Sequence, residues 1–405
     1  MREYKSEPFD NDYRYNNFIF ITAVILWLVF TISPFTSYYL SLILLAVSPE
    51  LKNVVRRTLG VLVVISGTVF IASRNYRGTL SDDITYVYFP VYRDVFNHGD
   101  SFTAYSGGWE WVLGGLFKVL SFLTDKPIDR SLFIFIFVFI PYLIYYIWLE
   151  KFGLEYISRN KKSLCVSASL GVMGLITLSI QIRQGLSTPI LLLAISYLNR
   201  SRIKSVLLTA LAISTHLTVI PIYFILRVFT GNNVKHKIIG LSFIAVLVFM
   251  FQFVVGAIVA ENLLGVASFK FKYYLDKDSD VTILSFAIAL LIMMIAGSFF
   301  FDKNEHLKGW RSFIVWGGAA YIILLPIPLA SDRLFMAMSV FLMGYLLFLS
   351  FSRISTIFRA LLILYFIFKF ITVGPLYGIM GVSPVMAFWT NYDWIGDYPF
   401  YFWVK

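Results

Sequence analysis

Apolar runs follow one another along almost the whole chain, and short polar or basic turns separate them. Many of the runs approach the ~20 residues that an α-helix needs to cross a bilayer. Because lipid offers the backbone no hydrogen-bond partners, such runs must fold as helices that pack side by side. The pattern predicts an all-α polytopic membrane protein, a bundle of about 11–14 transmembrane helices in one integral membrane domain over residues 1–405.

Lys and Arg in the turns indicate the orientation of this bundle. Each basic cluster follows the previous one after two predicted spans, so all clusters fall on one side of the membrane. Basic loops stay in the cytoplasm, which predicts a cytoplasmic N-terminus. The polar start, residues 1–17, carries both signs of charge and predicts insertion without a cleaved signal peptide. The basic clusters occupy residues 52–57, 151–162, 200–204, 235–237, 303–311 and 353–359.

The longest polar stretch, residues 73–130, falls on the opposite side and is predicted to form one long outer loop. Within it, residues 111–123 are apolar, but they are few for a crossing and include Lys118. We interpret them as a re-entrant or interfacial helix. Residues 375–405 are predicted to form an outer aromatic C-terminal tail. Residues 164–180, 313–329 and 334–351 are each predicted to cross as a single helix.

Composition narrows the class further. A 405-residue chain with 59% hydrophobic and 14% charged residues is not a soluble protein with one core. The net charge of +11 is dispersed over short loops, which is not a nucleic-acid-binding pattern. The single cysteine, Cys165, excludes an intramolecular disulfide and a Cys-rich metal site. No phosphate-binding loop or zinc-protease motif occurs, and we predict no metal ligand and no cofactor.

The candidate chemistry lies on the outer side. Residues 181–216 are predicted to form a helical hairpin with a cytoplasmic turn, which brings Arg183 and His216 to the outer side. Arginine is disfavoured there, so Arg183 and Arg333 are informative. A guanidinium fork holds two oxygens of a phosphate or a carboxylate. Two forks and an imidazole suit a doubly charged phosphorylated group. The acidic residues of the outer loop that complete the set are Asp82, Asp83 and Glu110.

These residues also have structural interpretations. Arg183 can be an interfacial anchor that reaches toward lipid headgroups. Asp332 can cap a helix, with a neighbouring charge beside it. His216 ends a helix, where a structural role fits as well as a chemical one. The Asp82–Asp83 pair can cap a short helix, and Arg74 is interpreted as a simple loop charge.

Five short motifs occur in a fixed order along the chain. They are Asp82-Asp83-Ile84-Thr85-Tyr86, Gly108-Trp109-Glu110-Trp111-Val112-Leu113, Ile182-Arg183-Gln184-Gly185, His216, and Asp332-Arg333-Leu334-Phe335. In their order and spacing they resemble the EpsG-type family of Wzy-like polysaccharide polymerases. The resemblance covers roughly residues 58–350.

The resemblance implies an enzyme of the bacterial plasma (inner) membrane that joins polysaccharide repeat units on its outer, periplasmic face. The growing glycan leaves its undecaprenyl diphosphate and moves onto the non-reducing end of a new lipid-linked unit. The implied partners are undecaprenyl-diphosphate-linked oligosaccharide and membrane lipid. A chain-length regulator and a flippase of the same pathway are the implied protein partners.

Such a transfer requires diphosphate binding, a positioned acceptor hydroxyl and a base. We assign Arg183 and Arg333 to the diphosphate, and His216 to assist there or to act as the base. The other base candidates are Asp82, Asp83 and Glu110. The further substrate-binding candidates are Gln184, Arg77, Tyr86 and Trp109.

Three other functions stay open. A ligase-like transferase would use the same donor and deliver the glycan to a different lipid. A flippase or transporter of lipid-linked oligosaccharide would place charged or broken helices near the bilayer midplane. Here the charges collect at the outer ends, and Lys369 is the only basic residue deep in a predicted span. A scaffold without chemistry has no positive sign in the sequence.

The topology gives the first testable prediction. In a Cys165-free background, a cysteine in place of Lys161 should be protected from a membrane-impermeant thiol reagent added to intact cells. A cysteine in residues 73–130 should be labelled. Labelling of the Lys161 variant from outside would overturn the orientation and the outer location of the candidate site.

Overall fold

The computed structural model describes residues 9–74, 84–100, 105–260, 281–327, 330–377 and 388–403. Within these ranges all regular structure is helical, and the predicted all-α class is confirmed. The α-helices are α1 Phe9–Ile32, α2 Pro34–Val47, α3 Asn53–Ala72, α4 Phe89–His98, α5 Trp111–Leu123, α6 Arg130–Trp148, α7 Arg159–Gly171, α8 Leu175–Ile180, α9 Ile182–Tyr197, α10 Arg202–Thr215, α11 Val219–Thr230, α12 Val234–Ala260, α13 Val281–Phe299, α14 Lys308–Ser312, α15 Gly318–Leu324, α16 Ala330–Leu334, α17 Met343–Ser350 and α18 Ser355–Val373.

Four described helical stretches are long and apolar enough to cross a membrane, judged by length and composition. They are Asn53–Ala72, Arg130–Gly153, Val234–Phe251 and Ser352–Val373. Shorter apolar helices accompany them at Phe18–Ile32, Pro34–Val47, Trp111–Leu123, Val219–Thr230 and Ile288–Phe299. The first two long helices are largely buried, whereas the last two expose most of their apolar surface. The centre of the bundle therefore lies at α3 and α6, and α12 and α18 lie at its edge.

The predicted span 164–180 is not one continuous helix, and this is a correction. Helix α7 ends at Gly171 and α8 begins at Leu175. At the break, the N–H of Gly174 donates to the carbonyl oxygen of Val340 at 3.0 Å. The hydroxyl of Tyr142 donates to the carbonyl oxygen of Leu170, also at 3.0 Å. Because neighbouring helices supply these partners, the chain can leave the helical path inside an apolar bundle.

The predicted spans 313–329 and 334–351 are also interrupted. The first begins as a π-helical turn, Phe313–Gly317, and its α-helix ends at Leu324. The second contains the π-helical turn Ala337–Phe341 before α17. π-helical turns inside helical segments frequently accompany functional sites. Residues 111–123 do form the predicted separate helix, α5.

An ion pair ties α3 to the end of α6 at the basic side of the bundle. Arg56 donates through Nε to Glu150 Oε1 at 3.0 Å and through Nη2 to Glu150 Oε2 at 2.7 Å. Arg57 adds a third contact to this carboxylate at 3.2 Å. Arg56 and Glu150 are almost fully buried, and the two parallel hydrogen bonds offset the loss of hydration.

The described part of the C-terminal tail, residues 388–403, is packed onto the opposite end of the bundle. The Asn391 side-chain amide donates to the carbonyl oxygen of Ala72 at 2.8 Å. Backbone hydrogen bonds join Gly396 and Phe400 to the end of α1. The indole of Trp394 contacts the ring of Phe35 at a centroid distance of 6.3 Å. This segment is therefore part of the fold.

The contact between α7 and α17 gives a prediction about stability. A Cβ atom at Gly344 would lie 1.9 Å from the backbone oxygen of Ala168. This steric clash cannot be relieved by a change of rotamer, because the clashing atom belongs to the backbone. We expect Gly344→Ala to reduce the abundance of the folded protein strongly. Gly297→Ala is the control, because its Cβ would meet its nearest neighbour at 3.5 Å. Equal melting temperatures of the two purified variants in detergent would contradict this packing.

Candidate active site

A single buried carboxylate, that of Glu110, joins the two main residues of the predicted site. Glu110 directly precedes α5, and only 2% of its surface is exposed. Its Oε1 accepts hydrogen bonds from His216 Nδ1 at 2.7 Å and from the N–H of Leu217 at 2.9 Å. Its Oε2 accepts a hydrogen bond from Arg183 Nη1. Three donors therefore surround one carboxylate.

The helical hairpin brings these partners together as the sequence predicts. Helices α9 and α10 are antiparallel neighbours, so the start of α9 and the end of α10 lie side by side. Arg183 lies in the first turn of α9, and His216 follows α10 with an extended backbone. Helix α5 packs against α10, which carries Glu110 to the same end. The sequence identified all three residues but not the contacts among them.

The surrounding donors keep the Glu110 carboxyl ionised. Burial alone would raise the pKa of Glu110, but the hydrogen bonds from His216 and Leu217 and the charge of Arg183 outweigh it. Together they lower the pKa of Glu110 to about 2. An ionised carboxylate only accepts hydrogen bonds, so Nδ1 of His216 carries a hydrogen. In the neutral imidazole the second nitrogen, Nε2, is then an acceptor.

The guanidinium of Arg183 is held on two further sides. It lies over the ring of Tyr105, 4.8 Å from the ring centroid, which is a cation–π distance. Tyr88, at the end of the π-helical turn Ile84–Tyr88, also interacts with it. About a quarter of the Arg183 side chain stays exposed. The simple lipid-anchor interpretation does not account for these three partners.

The segment that carries Arg333 contacts α9 next to Arg183. The side-chain amide of Gln184 is buried and donates to the backbone carbonyl oxygen of Arg333. Asp332 does not act as a helix cap. It lies inside α16, and its Oδ1 accepts a hydrogen bond from the Tyr321 hydroxyl at 2.8 Å. The structure thus brings the backbone of the Arg333 segment to the site.

Buried polar atoms without a hydrogen-bond partner among the described residues concentrate at this end of the bundle. Such atoms are rare in folded proteins, because each costs about 1–3 kcal/mol. A cluster of them at one place indicates a site for a polar ligand. The atoms at this place are Gln181 Oε1, Arg183 Nε, Gln184 Oε1 and Thr218 Oγ1, and Arg333 Nε is a further atom of this kind on the segment that contacts Gln184.

The structure describes only some of the remaining site residues that the sequence predicts. Asp82, Asp83 and Arg77 lie outside the described residues. Tyr86 and Trp109 are exposed side chains, and the second of them directly precedes Glu110. Within the described ranges, no group of three His, Cys, Asp or Glu side chains is arranged to hold a metal ion.

Arg74 is a residue that the sequence interpretation undervalued. The sequence interpretation gives Arg74 as a simple loop charge, but its exposed fraction is only 2%. Its Nη1 donates to the hydroxyl of Ser179 at 3.4 Å, and its guanidinium lies 5.7 Å from the ring centroid of Phe388. Arg74 lies at the end of α3 and is followed by a polar stretch of sequence. This sequence context does not indicate that its side chain is buried. Ser179 lies four residues before Arg183 in the chain, so Arg74 borders the site from the side of α3.

A family model supports the motif-based resemblance. The model of the EpsG family matches residues 57–392, which include Glu110, Arg183, His216 and Arg333. The chain belongs to the EpsG family. Neither a curated protein nor a solved structure matches it. Membership of the EpsG family indicates a polysaccharide polymerase-like membrane protein with a role in polysaccharide biosynthesis.

The lowered pKa of Glu110 generates a prediction about pH. A carboxyl whose pKa is lower in the folded than in the unfolded state stabilises the fold fully above its ordinary value, 4.5, and loses this contribution as the pH falls toward about 2. We expect the melting temperature of the purified protein to fall on acidification from pH 6 to pH 3. The fall should be smaller in Glu110→Gln, which lacks this carboxyl.

Glu305→Gln is the matched control, because Glu305 is exposed and its ion pair with Lys308 lies at the surface. It should follow the wild-type pH dependence. A Glu110→Gln variant with the same pH dependence as the wild type would show that the Glu110 carboxylate contributes no net stability.

Proposed function

We propose that this EpsG-family protein is a glycosyltransferase that polymerises lipid-linked repeat units. In the proposed reaction, a growing glycan leaves undecaprenyl diphosphate and joins the next lipid-linked unit on the outer face of the plasma membrane. The observation that carries the proposal is the Glu110 carboxylate. It orients a cationic fork, Arg183, and an imidazole, His216, from its two oxygens.

The donor side requires stabilisation of a diphosphate leaving group. Nη1 of Arg183 donates a hydrogen bond to Glu110. The buried Nε of the same guanidinium has no hydrogen-bond partner among the described residues. The Nε of Arg333 is also buried and has no hydrogen-bond partner among the described residues. Buried, pre-oriented N–H donors of this kind stabilise the negative charge that develops as the glycosyl–phosphate bond breaks. They support the assignment of both arginines to the diphosphate.

The acceptor side requires a base. We assign this role to Nε2 of His216, because Nδ1 is held by Glu110. The acceptor hydroxyl gives its proton to Nε2 and its oxygen forms the new bond to the anomeric carbon. The bond from that carbon to the phosphate oxygen breaks, and the electron pair leaves with the diphosphate. Glu110 positions the two reacting side chains, since a carboxyl with a pKa of about 2 is a weak base.

A transporter of lipid-linked oligosaccharide is the second candidate, and the break between α7 and α8 is the observation in its favour. Transporters use interrupted helices to bind their cargo inside the membrane. Here, however, neighbouring helices bond to polar groups at the break, through the Val340 carbonyl and the Tyr142 hydroxyl. This contact favours a structural role for the break. A ligase-like transferase would use the same donor site. It would differ from a polymerase only in the acceptor that receives the glycan.

A deletion strain separates the three functions. Surface glycan that collapses to single repeat units would support the polymerase. Polymer that accumulates on the carrier lipid, with none transferred to the surface, would indicate a ligase. Intact repeat units that remain on the cytoplasmic side would indicate a transporter and would overturn the proposal.

The sharpest prediction concerns the shape of the Arg183 side chain. Arg183→Lys keeps the charge but loses the planar fork that can serve Glu110 and a phosphate together. We expect normal insertion into the membrane and a polymerisation rate lower by about 10²–10³-fold. The measurement is the length of the polymer ladder in complemented cells at matched membrane abundance.

Arg202→Lys is the matched control, because Arg202 is exposed at the basic turn of the same hairpin. It should give full-length ladders. If Arg183→Lys also gives full-length ladders, Arg183 has a structural role only. Another residue must then bind the diphosphate.

A further inference from the structure

A groove of about 490 Å³ lies at the outer ends of α3 and α6, beneath the C-terminal segment 388–403. It is separate from the cluster around Glu110. Its walls combine aromatic rings with charged and amide side chains. The lining side chains that matter here are Asp129, Arg130, Phe135, Tyr392, Phe402 and Trp403.

The chemistry of these walls fits a carbohydrate. The C–H faces of a sugar ring pack against aromatic rings, and its hydroxyls bond to planar carboxylate and guanidinium groups. The Trp403 ring is 56% exposed and lies at 5.8 Å from the ring of Phe135. Asp129 and Arg130 place both signs of charge in the same wall. That pair disfavours an acyl chain, which would leave two charges against hydrocarbon.

Hydrogen bonds within the protein hold two of the residues that line the groove. Asp129 Oδ1 accepts the N–H of Leu132 at 2.8 Å, which fixes the first turn of α6. The Tyr392 hydroxyl donates to the backbone oxygen of Val69. Phe400, close to the exposed indole, has a φ of 58°, a strained value for a residue with a side chain. Strain of this kind is found where a binding site requires a particular chain path.

A second cavity shares one side chain with the groove and is lined by residues close in sequence to Tyr88. Arg130 borders both the groove and a neighbouring cavity of about 400 Å³ along the surface of α4. Thr85 and Phe89 line that second cavity on either side of Tyr88 in the chain. Tyr88 in turn interacts with Arg183. Polar and aromatic side chains thus form a series from Arg183 to Trp403.

We propose that this series, from Tyr88 through Arg130 to Trp403, binds the glycan chain several sugars away from the reacting end. The inference rests on the proposed polymerase function and adds a holding site to it. A glycan retained there stays close to the transfer site between successive additions. The length of the polymer then depends on the groove as well as on the transfer chemistry.

Two variants test the groove. Trp403→Ala removes the exposed aromatic platform, and Arg130→Gln removes the charge shared by the two cavities. We expect both to shorten the polymer ladder in complemented cells at matched membrane abundance. Tyr398→Ala is the control, since this exposed aromatic residue belongs to the same segment but does not line the groove. Wild-type ladders from both groove variants would overturn the proposal.

A binding measurement separates this inference from the polymerase proposal. The probe is a set of oligosaccharides released by partial acid hydrolysis of the producing strain's own polysaccharide. Saturation-transfer NMR should show binding to the detergent-purified protein and to Arg183→Lys. Loss of the Trp403 ring should weaken binding by about 2–10-fold.

The outcomes are distinguishable. Equal binding by wild type and Trp403→Ala would overturn the groove, whatever the deletion strain shows. Displacement of the oligosaccharide by undecaprenyl phosphate alone would show that the occupant is lipid and would also overturn it. A deletion strain with unchanged polymer length would remove the polymerase proposal, while the NMR result would still report on the groove.

Discussion

The Glu110 carboxylate determines the geometry of the candidate site. Its two oxygens receive donors from three different places in the chain: the start of α9, the end of α10 and the backbone that follows it. A buried charge without partners would destabilise the protein by several kcal/mol, so the three donors and the carboxylate require one another. The same contacts leave the second nitrogen of His216 and part of the Arg183 guanidinium unoccupied by Glu110, and the proposed function assigns these groups to the substrate.

The sequence predicts the α9–α10 hairpin, which the structure confirms, whereas its orientation in the membrane stays a prediction. The apolar runs on both sides of residues 199–204 and the basic turn between them are local features, and the meeting of Arg183 with His216 follows from them. The partnership with Glu110 is not local. It joins residues separated by 73 and 106 positions, and a glutamate in a polar loop carries no sign of its future burial. A tertiary contact of this kind is visible only once the helices are packed.

The same distinction explains the other differences. The break after Gly171 lies inside a run that is apolar on both sides, so hydropathy alone cannot show where the helix stops. Its position depends on Val340, whose carbonyl group accepts the bond that the helix gives up. Arg74 resembles any arginine at a helix end, and its burial depends on Ser179 and on Phe388 of the C-terminal segment. In each case the local structure depends on a residue that is distant in the sequence.

The exposure of α10 has a consequence for the path of the substrate. Ile203, Val206 and Leu207 expose more than half of their surface, whereas few residues of this helix are buried. His216 therefore ends a helix whose apolar flank is exposed. Under the proposed function, a polyprenyl carrier would lie along that flank and present its diphosphate to Arg183 without its tail passing through the protein. The sugars can extend in the other direction, across α4 toward α6. The two halves of an amphiphilic substrate would then occupy opposite flanks of one site, so that its two ends never compete for the same surface.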